Sequence, residues 1–151
     1  MKQEIERKFL VKERNLPALP KGKDLVAGYF CENPEIRVRV EGDKSFLTIK
    51  SKGLIARDEF EYEICIRDAK KLLELTSLKI EKNRCTLNID GFIWQIDHYK
   101  GENKGLVIAE IELPNPNIKF RKPLWVDKEV TFDLKYRNIS LAEHPFSKLR
   151  S

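Results

Sequence analysis

Apolar and polar positions alternate with a period of two over most of the chain. Successive side chains of an extended strand face opposite ways, so this alternation predicts strands with one apolar and one polar face. Residues 3–11, 25–31, 35–42, 45–52, 57–67, 79–89, 92–99 and 106–113 carry the pattern. Turn chemistry separates several of these runs: Glu41-Gly42-Asp43, the Asp90-Gly91 pair of a two-residue hairpin, and the two-glycine stretch 100–105. Residues 16–23, which contain Pro17 and Pro20, form a connection. Helical spacing is confined to 68–76, with Asp68 as N-cap and Leu72, Leu73 and Thr76 on one side, and to the tail 138–146, ended by Pro145. Many antiparallel strands and few helices predict a mainly β fold, a barrel or a sandwich, which removes or protects strand edges. No repeat, low-complexity tract or boundary interrupts the chain, so residues 1–151 read as a single domain.

The polar faces are unusual. The first strand places Glu4, Glu6 and Lys8 on one side, against Ile5, Arg7 and Phe9 on the other. Arg37 and Arg39 share the polar face of the third run, and Lys50 lies on that of the fourth. Arg57, Glu59, Glu61 and Glu63 share a face opposite Phe60, Tyr62 and Ile64. Lys82 pairs with Arg84, Gln95 with Asp97, and Glu110 with Glu112 in the same way. A half-exposed antiparallel sheet alternates like this too, with its charged face in water. Solvated faces, however, mix in Thr, Ser, Gln and Asn, whereas these are nearly all Glu, Lys and Arg, grouped in blocks of one sign. Crowded carboxylates repel, and unpaired charges are costly away from water. A divalent cation among the acids and a polyanion among the bases would remove both penalties. Hard cations prefer carboxylate oxygens and bridge to substrate phosphates, and Arg and Lys suit phosphate oxygens. A closed barrel with its charged face inward would hold the two together under an apolar exterior packed beneath helices.

Composition narrows the partners only slightly. Charged residues make up 35% of the chain and hydrophobic ones 41%, with a net charge of +5. An excess of Lys and Arg favours anionic partners and selects none of them. Cys31, Cys65 and Cys85 are odd in number and lack CxxC spacing, which predicts reduced thiols. Two glutamates in MKQEIERKFL argue against a signal peptide, and no apolar stretch approaches a membrane span. The expectation is a soluble, cytoplasmic chain.

The order of the charged pairs resembles a known family. Glu4-x-Glu6-x-Lys8 resembles the ExExK opening of the triphosphate tunnel metalloenzymes, or CYTH proteins. Arg37-x-Arg39, Thr48-x-Lys50, Glu59-x-Glu61, Lys82-x-Arg84, Asp97 and Glu110-x-Glu112 follow in the family's order. The opening through Val11 is similar to the short bacterial tripolyphosphatase-type members. The resemblance implies a closed eight-stranded antiparallel barrel forming a tunnel, with a few flanking helices, and Mg²⁺ or Mn²⁺ as cofactor. It implies Glu4, Glu6, Glu110 and Glu112 as metal ligands, with Asp97, Glu59 and Glu61 as further candidates. Arg37, Arg39, Lys50, Arg57, Lys82 and Arg84 would bind phosphates. Lys8 with Tyr29 would form the catalytic pair, although Ala27 replaces the Gln that often precedes Gly-Tyr. Lys135-Tyr136-Arg137-Asn138 resembles the closing region near one tunnel mouth.

The implied activity is metal-dependent hydrolysis of a small triphosphate, inorganic tripolyphosphate first among the candidates. Class IV adenylate cyclase activity on ATP uses the same cradle and stays open, as does a non-catalytic polyphosphate- or nucleotide-binding module. Nucleic acid is disfavoured as a partner because three acidic pairs would repel its backbone. Trp94 faces away from Asp97 and reads as barrel wall. His98 and His144 lack a partner at any recognisable spacing. A homodimer is compatible with the sequence.

Overall fold

The structure is a computed structural model and describes residues 1–149. Nine strands form: β1 (Lys2–Val11), β2 (Lys23–Glu32), β3 (Glu35–Glu41), β4 (Lys44–Lys50), β5 (Ala56–Ile64), β6 (Leu78–Ile89), β7 (Phe92–Tyr99), β8 (Val107–Glu112) and β9 (Val126–Glu129). Three helices accompany them: α1 (Ile66–Glu74), α2 (Asn138–Glu143) and α3 (Phe146–Leu149). Each predicted strand is present, with ends displaced by a few residues. The fifth stops at Ile64 rather than at 67 because α1 follows at once. Cys65 is the N-cap of α1, without a side-chain cap, and Asp68 lies inside the first turn. There its charge complements the helix N-terminus instead of capping it.

The strands close in the order β1-β5-β4-β3-β2-β6-β7-β8 and back to β1, every pair antiparallel. Closure depends on β1 changing partners along one edge. Its first half pairs with β5 (Glu4 opposite Arg57), while its last residues pair with β9 (Phe9 opposite Glu129). Arg7, on the outer face, donates to both carboxylate oxygens of Glu129 at 2.8 and 2.6 Å and fastens β9 in place. Asp90 and Gly91, with φ of 55° and 84°, make the hairpin turn between β6 and β7 that their sequence predicts.

Period-two alternation puts one core outside the barrel and the charges inside. Phe9, Trp94, Ile96, Ala109 and Ile111 are fully buried on the outer face of β1, β7 and β8. The cover is not helical, contrary to the sequence-based expectation. Trp125, Ile118, Phe120, Leu16 and Leu19, from two irregular segments, pack over this face. Aromatic edges supply shape where a helix would supply a ridge: Trp94 meets Trp125 with ring centroids 5.1 Å apart and Phe120 at 5.8 Å. α1 packs mainly against β3 and β4. Gly28 of β2 lies beneath it, and a Cβ there would stand 2.3 Å from Thr76 Oγ1.

A second core fills one end of the lumen. Ile80, Tyr99 and Ile108 share strand faces with Lys82, Asp97 and Glu110, so the inner wall changes from charged to apolar along these strands. Ile139 and Leu141 of α2 pack against them and plug the barrel. The predicted helix 138–146 is divided in two. His144 leaves the helical region (φ −126°, ψ 83°), as a residue before proline tends to, and α3 starts after Pro145. Asn103 secures both pieces by donating to the Leu141 carbonyl and accepting from the Phe146 amide. Among the described residues no helix is long and apolar enough to cross a membrane.

Candidate active site

The inner faces of the strands enclose a cavity of about 210 Å³. Glu4, Glu6 and Lys8 reach it from β1, Tyr29 from β2, Arg37 and Arg39 from β3, and Lys50 from β4. Arg57, Glu59 and Glu61 come from β5, Arg84 from β6, and Glu110 and Glu112 from β8. Residues scattered over more than a hundred positions thus meet because each lies on the same side of the pleat. Of the residues singled out in the sequence, Lys82 and Asp97 alone stand outside this lining.

Four of the lining acids, Glu4, Glu6, Glu110 and Glu112, stand on the neighbouring strands β1 and β8. Glu6 pairs in register with Glu112, and Lys8 with Glu110. Burial pushes the Glu6 carboxyl up to about 8, and the neighbouring Glu110 and Glu4 push the same way. Burial would raise Glu110 as well, but Lys8, Arg84 and Lys82 outweigh it and hold that carboxyl at about 2. Glu4 behaves like Glu110: against burial, Lys50 and Arg57 keep it far below the usual range. Lys50 Nζ donates to both Glu4 oxygens at 2.8 and 2.9 Å. Glu59 is raised by burial and by its hydrogen bond with Glu4. Within each of two acid pairs, Glu6 with Glu110 and Glu4 with Glu59, one carboxyl is therefore raised and the other lowered.

The bases gather on β3, β5 and β6. Arg39 reaches Glu61 at 3.0 Å, and Arg57 reaches Glu4 at 3.5 Å. The Nε atoms of Arg37 and Arg39 are buried without a hydrogen-bond partner, as is the Tyr29 hydroxyl. Buried donors of this kind cost free energy unless a ligand satisfies them, and phosphate oxygens would. Burial, with Glu35 beside it, raises the Tyr29 phenol well above its ordinary value, so the group stays protonated. The hydrogen bond expected between Lys8 and Tyr29 does not form. Lys8 Nζ faces Glu110 at 3.9 Å instead.

Asp97 and Lys82 lie behind the lining. Arg84 donates to both Asp97 oxygens at 2.8 and 2.9 Å, and Lys82 adds a third bond at 2.7 Å. Asp97 is fully buried, and both its oxygens are engaged by Arg84 and Lys82. Lys82, equally buried, is lowered to about 8 by that burial and pairs with Asp97. Lys135 also points elsewhere: it is exposed and pairs with Asp133 at 3.5 Å.

The structure adds Glu35, Glu41, Arg137 and Asn138 to the lining. Glu35 was legible in principle, since it extends the Arg37, Arg39 face by one step of two. Arg137 precedes α2 in irregular chain and carries no periodic signal.

A divalent cation fits this donor set by chemistry. The β1–β8 wall offers hard carboxylate oxygens, crowded closely enough that Glu110 and Glu4 help to raise the Glu6 carboxyl, and a cation among them would offset that crowding. Among the described residues no three carboxylates converge closely enough to hold an ion as they stand. Glu4 is drawn to Lys50, and Glu110 lies 3.9 Å from both Lys8 and Arg84.

Known proteins share this arrangement. A protein named inorganic triphosphatase from Acetivibrio thermocellus is 43% identical over 155 residues, covering 99% of each chain. Another of that name, from Nitrosomonas europaea, is 34% identical over 92% of this chain and 96% of its own. A crystal structure of an inorganic triphosphatase superposes with a TM-score of 0.69 at 31% identity, covering 94% of this chain and 95% of that one. The model of the CYTH domain matches residues 2–144, which include every strand of the barrel and its plug, and the chain belongs to the CYTH domain family.

Proposed function

We propose that this protein hydrolyses a small inorganic triphosphate, tripolyphosphate before others, with the help of a divalent cation. The observation that carries the reading is one lumen lined almost wholly by carboxylates and cationic side chains, with Glu4, Glu6, Glu110 and Glu112 on β1 and β8 and the guanidiniums of Arg37, Arg39 and Arg57 on β3 and β5, where Glu35, Glu41, Glu59 and Glu61 are interleaved with them. That lining suits a phosphate chain held by the guanidiniums with a cation at the β1–β8 carboxylates. The lining also favours an inorganic chain over a nucleotide. Tyr29 is its single aromatic residue among those described, and it is buried, so a purine finds no face to stack on. ATP cyclisation, which must hold a nucleoside, is therefore the weaker reading.

Water attacks the terminal phosphorus, the bond to the bridging oxygen breaks, and orthophosphate and pyrophosphate leave. The protein contributes position and charge rather than a covalent intermediate. Arg37 and Arg39 hold non-bridging oxygens through Nε donors that are buried without a hydrogen bond. Arg84, held by Asp97, adds a fork from β6. Lys8, which lines the same cavity, would offset the charge that builds on the departing oxygen. Glu6, Glu110, Glu112 and Glu4 would hold the cation. When bound it would neutralise phosphate charge and lower the pKa of the attacking water.

The test is phosphate release from tripolyphosphate, thiamine triphosphate, ATP and RNA 5′-triphosphate, each with Mg²⁺, Mn²⁺ or EDTA. Tripolyphosphate should be turned over fastest, and EDTA should abolish turnover. Cyclic AMP as the main product from ATP would replace this reading with the cyclase one.

A further inference from the structure

Arg137 stands in the cavity wall but belongs to no strand. It immediately precedes α2 and lines the cavity together with Asn138. That segment is firmly placed: Tyr99 Oη donates to Asn138 Oδ1 at 2.6 Å, and Ile139 and Leu141 are buried beneath. The guanidinium is thus carried by the plug, at the closed end of the lumen. Its two terminal nitrogens lie 3.5 Å from Glu32 and 3.8 Å from Glu35. Glu35 is itself buried and also faces Arg57 at 3.4 Å and Arg37 at 3.9 Å. Glu35 thus meets three guanidiniums, of which Arg137 also has Glu32 and Arg57 also has Glu4, while Arg37 Nε is buried without a hydrogen-bond partner, so a guanidinium donor is left to take a phosphate oxygen at this spot. A phosphate at the end of a chain carries more negative charge and more free oxygens than one inside it, and suits planar forks arriving from several sides.

We propose that Arg137, oriented by Glu35, is a specificity-determining residue that grips the terminal phosphate of a chain entering the plugged lumen end-first. The inference rests on the triphosphatase reading and adds to it how a free chain end is recognised. It explains why a cation is placed on the plug, where only the leading end of a substrate arrives.

The experiment compares two inhibitors of tripolyphosphate hydrolysis, pyrophosphate with two chain ends and cyclic trimetaphosphate with none. Wild type, Arg137→Ala and Arg137→Lys are measured with the same divalent cation. Wild type should bind pyrophosphate more tightly than trimetaphosphate. In Arg137→Ala the KM for tripolyphosphate and the inhibition constant for pyrophosphate should both rise about ten- to hundredfold, with trimetaphosphate unchanged. Arg137→Lys keeps the charge and loses the fork, so it should give a smaller rise; it carries the comparison alone if the alanine variant does not fold. A plug that is merely loosened weakens both inhibitors alike, so equal losses would overturn the assignment, as would an unchanged KM. Wild type that turns over no tripolyphosphate would overturn the triphosphatase reading and this inference together. Normal wild-type turnover with indifferent Arg137 variants would remove the inference alone.

Discussion

Lys50 Nζ sits 2.8 Å from the carboxylate of Glu4, so a side chain of the phosphate wall holds one of the proposed metal wall. The two sets of charges satisfy each other across the lumen. Substrate and cation would separate them, each taking the partner of its own sign, and this exchange makes the stability of the barrel sensitive to which charges remain.

Removing one member of that pair should cost more than removing both. Lys50 is 3% exposed, and Lys50→Met leaves Glu4 with Arg57 alone. Chemical denaturation should show a loss of about 3 kcal/mol for Lys50→Met and a smaller loss for Glu4→Gln/Lys50→Met. Both variants should be inactive on tripolyphosphate. Additive losses in the double variant would show that the two groups are not coupled.

The pH dependence of the metal-free protein follows from Glu6. Its carboxyl is raised to about 8 in the folded state by burial and by Glu110 and Glu4, so the folded chain binds a proton more tightly than the unfolded chain does. Its contribution to stability is complete below the ordinary glutamate range and is lost as pH rises from about 4.5 toward 8. Glu4 and Glu110, both lowered, act in the opposite sense and only on the acid side. Thermal melts in EDTA should therefore give a falling Tm between pH 5 and 8. Glu6→Gln should flatten the fall, and Mg²⁺ should reverse it in wild type. A flat wild-type profile in EDTA would contradict the assignment.

Asp97 should matter more for folding than for metal. Asp97→Asn leaves Lys82 and Arg84 without their shared carboxylate in a fully buried place. A loss on the order of 3–5 kcal/mol is expected in denaturant. Metal affinity measured by calorimetry on whatever remains folded should stay within a few-fold of wild type. A large drop in affinity with little change in stability would return Asp97 to the metal site.

Period-two reading made most of the barrel legible because most strands keep one face apolar and place charges on the other. It placed Glu4, Glu6, Arg37, Arg39, Glu110 and Glu112 around one cavity without any knowledge of strand order. It failed where alternation carries no depth. Asp97 and Gln95 share a face, yet Gln95 lines the cavity while Asp97 is sealed behind it, since only packing distinguishes successive positions along one face. The irregular cover formed by Ile118, Phe120 and Trp125 was invisible for a similar reason: no periodicity marks a segment whose backbone follows the surface of another element. Arg137 was named only as part of the closing stretch Lys135-Tyr136-Arg137-Asn138, and no periodicity marked it for the lining, because the plug and not a strand positions it.

The central claim is that the β1–β8 carboxylates bind the cation needed for hydrolysis. Phosphate release from tripolyphosphate by wild type and Glu112→Ala across a Mg²⁺ titration tests it most directly, with melting curves on the same samples. Glu112 is exposed at the rim of the cavity, so its removal should leave the fold intact. The account predicts an unchanged metal-free Tm and turnover reduced at least a hundredfold, with any residual activity needing much higher Mg²⁺. Turnover near the wild-type level at the same Mg²⁺ concentration would contradict it.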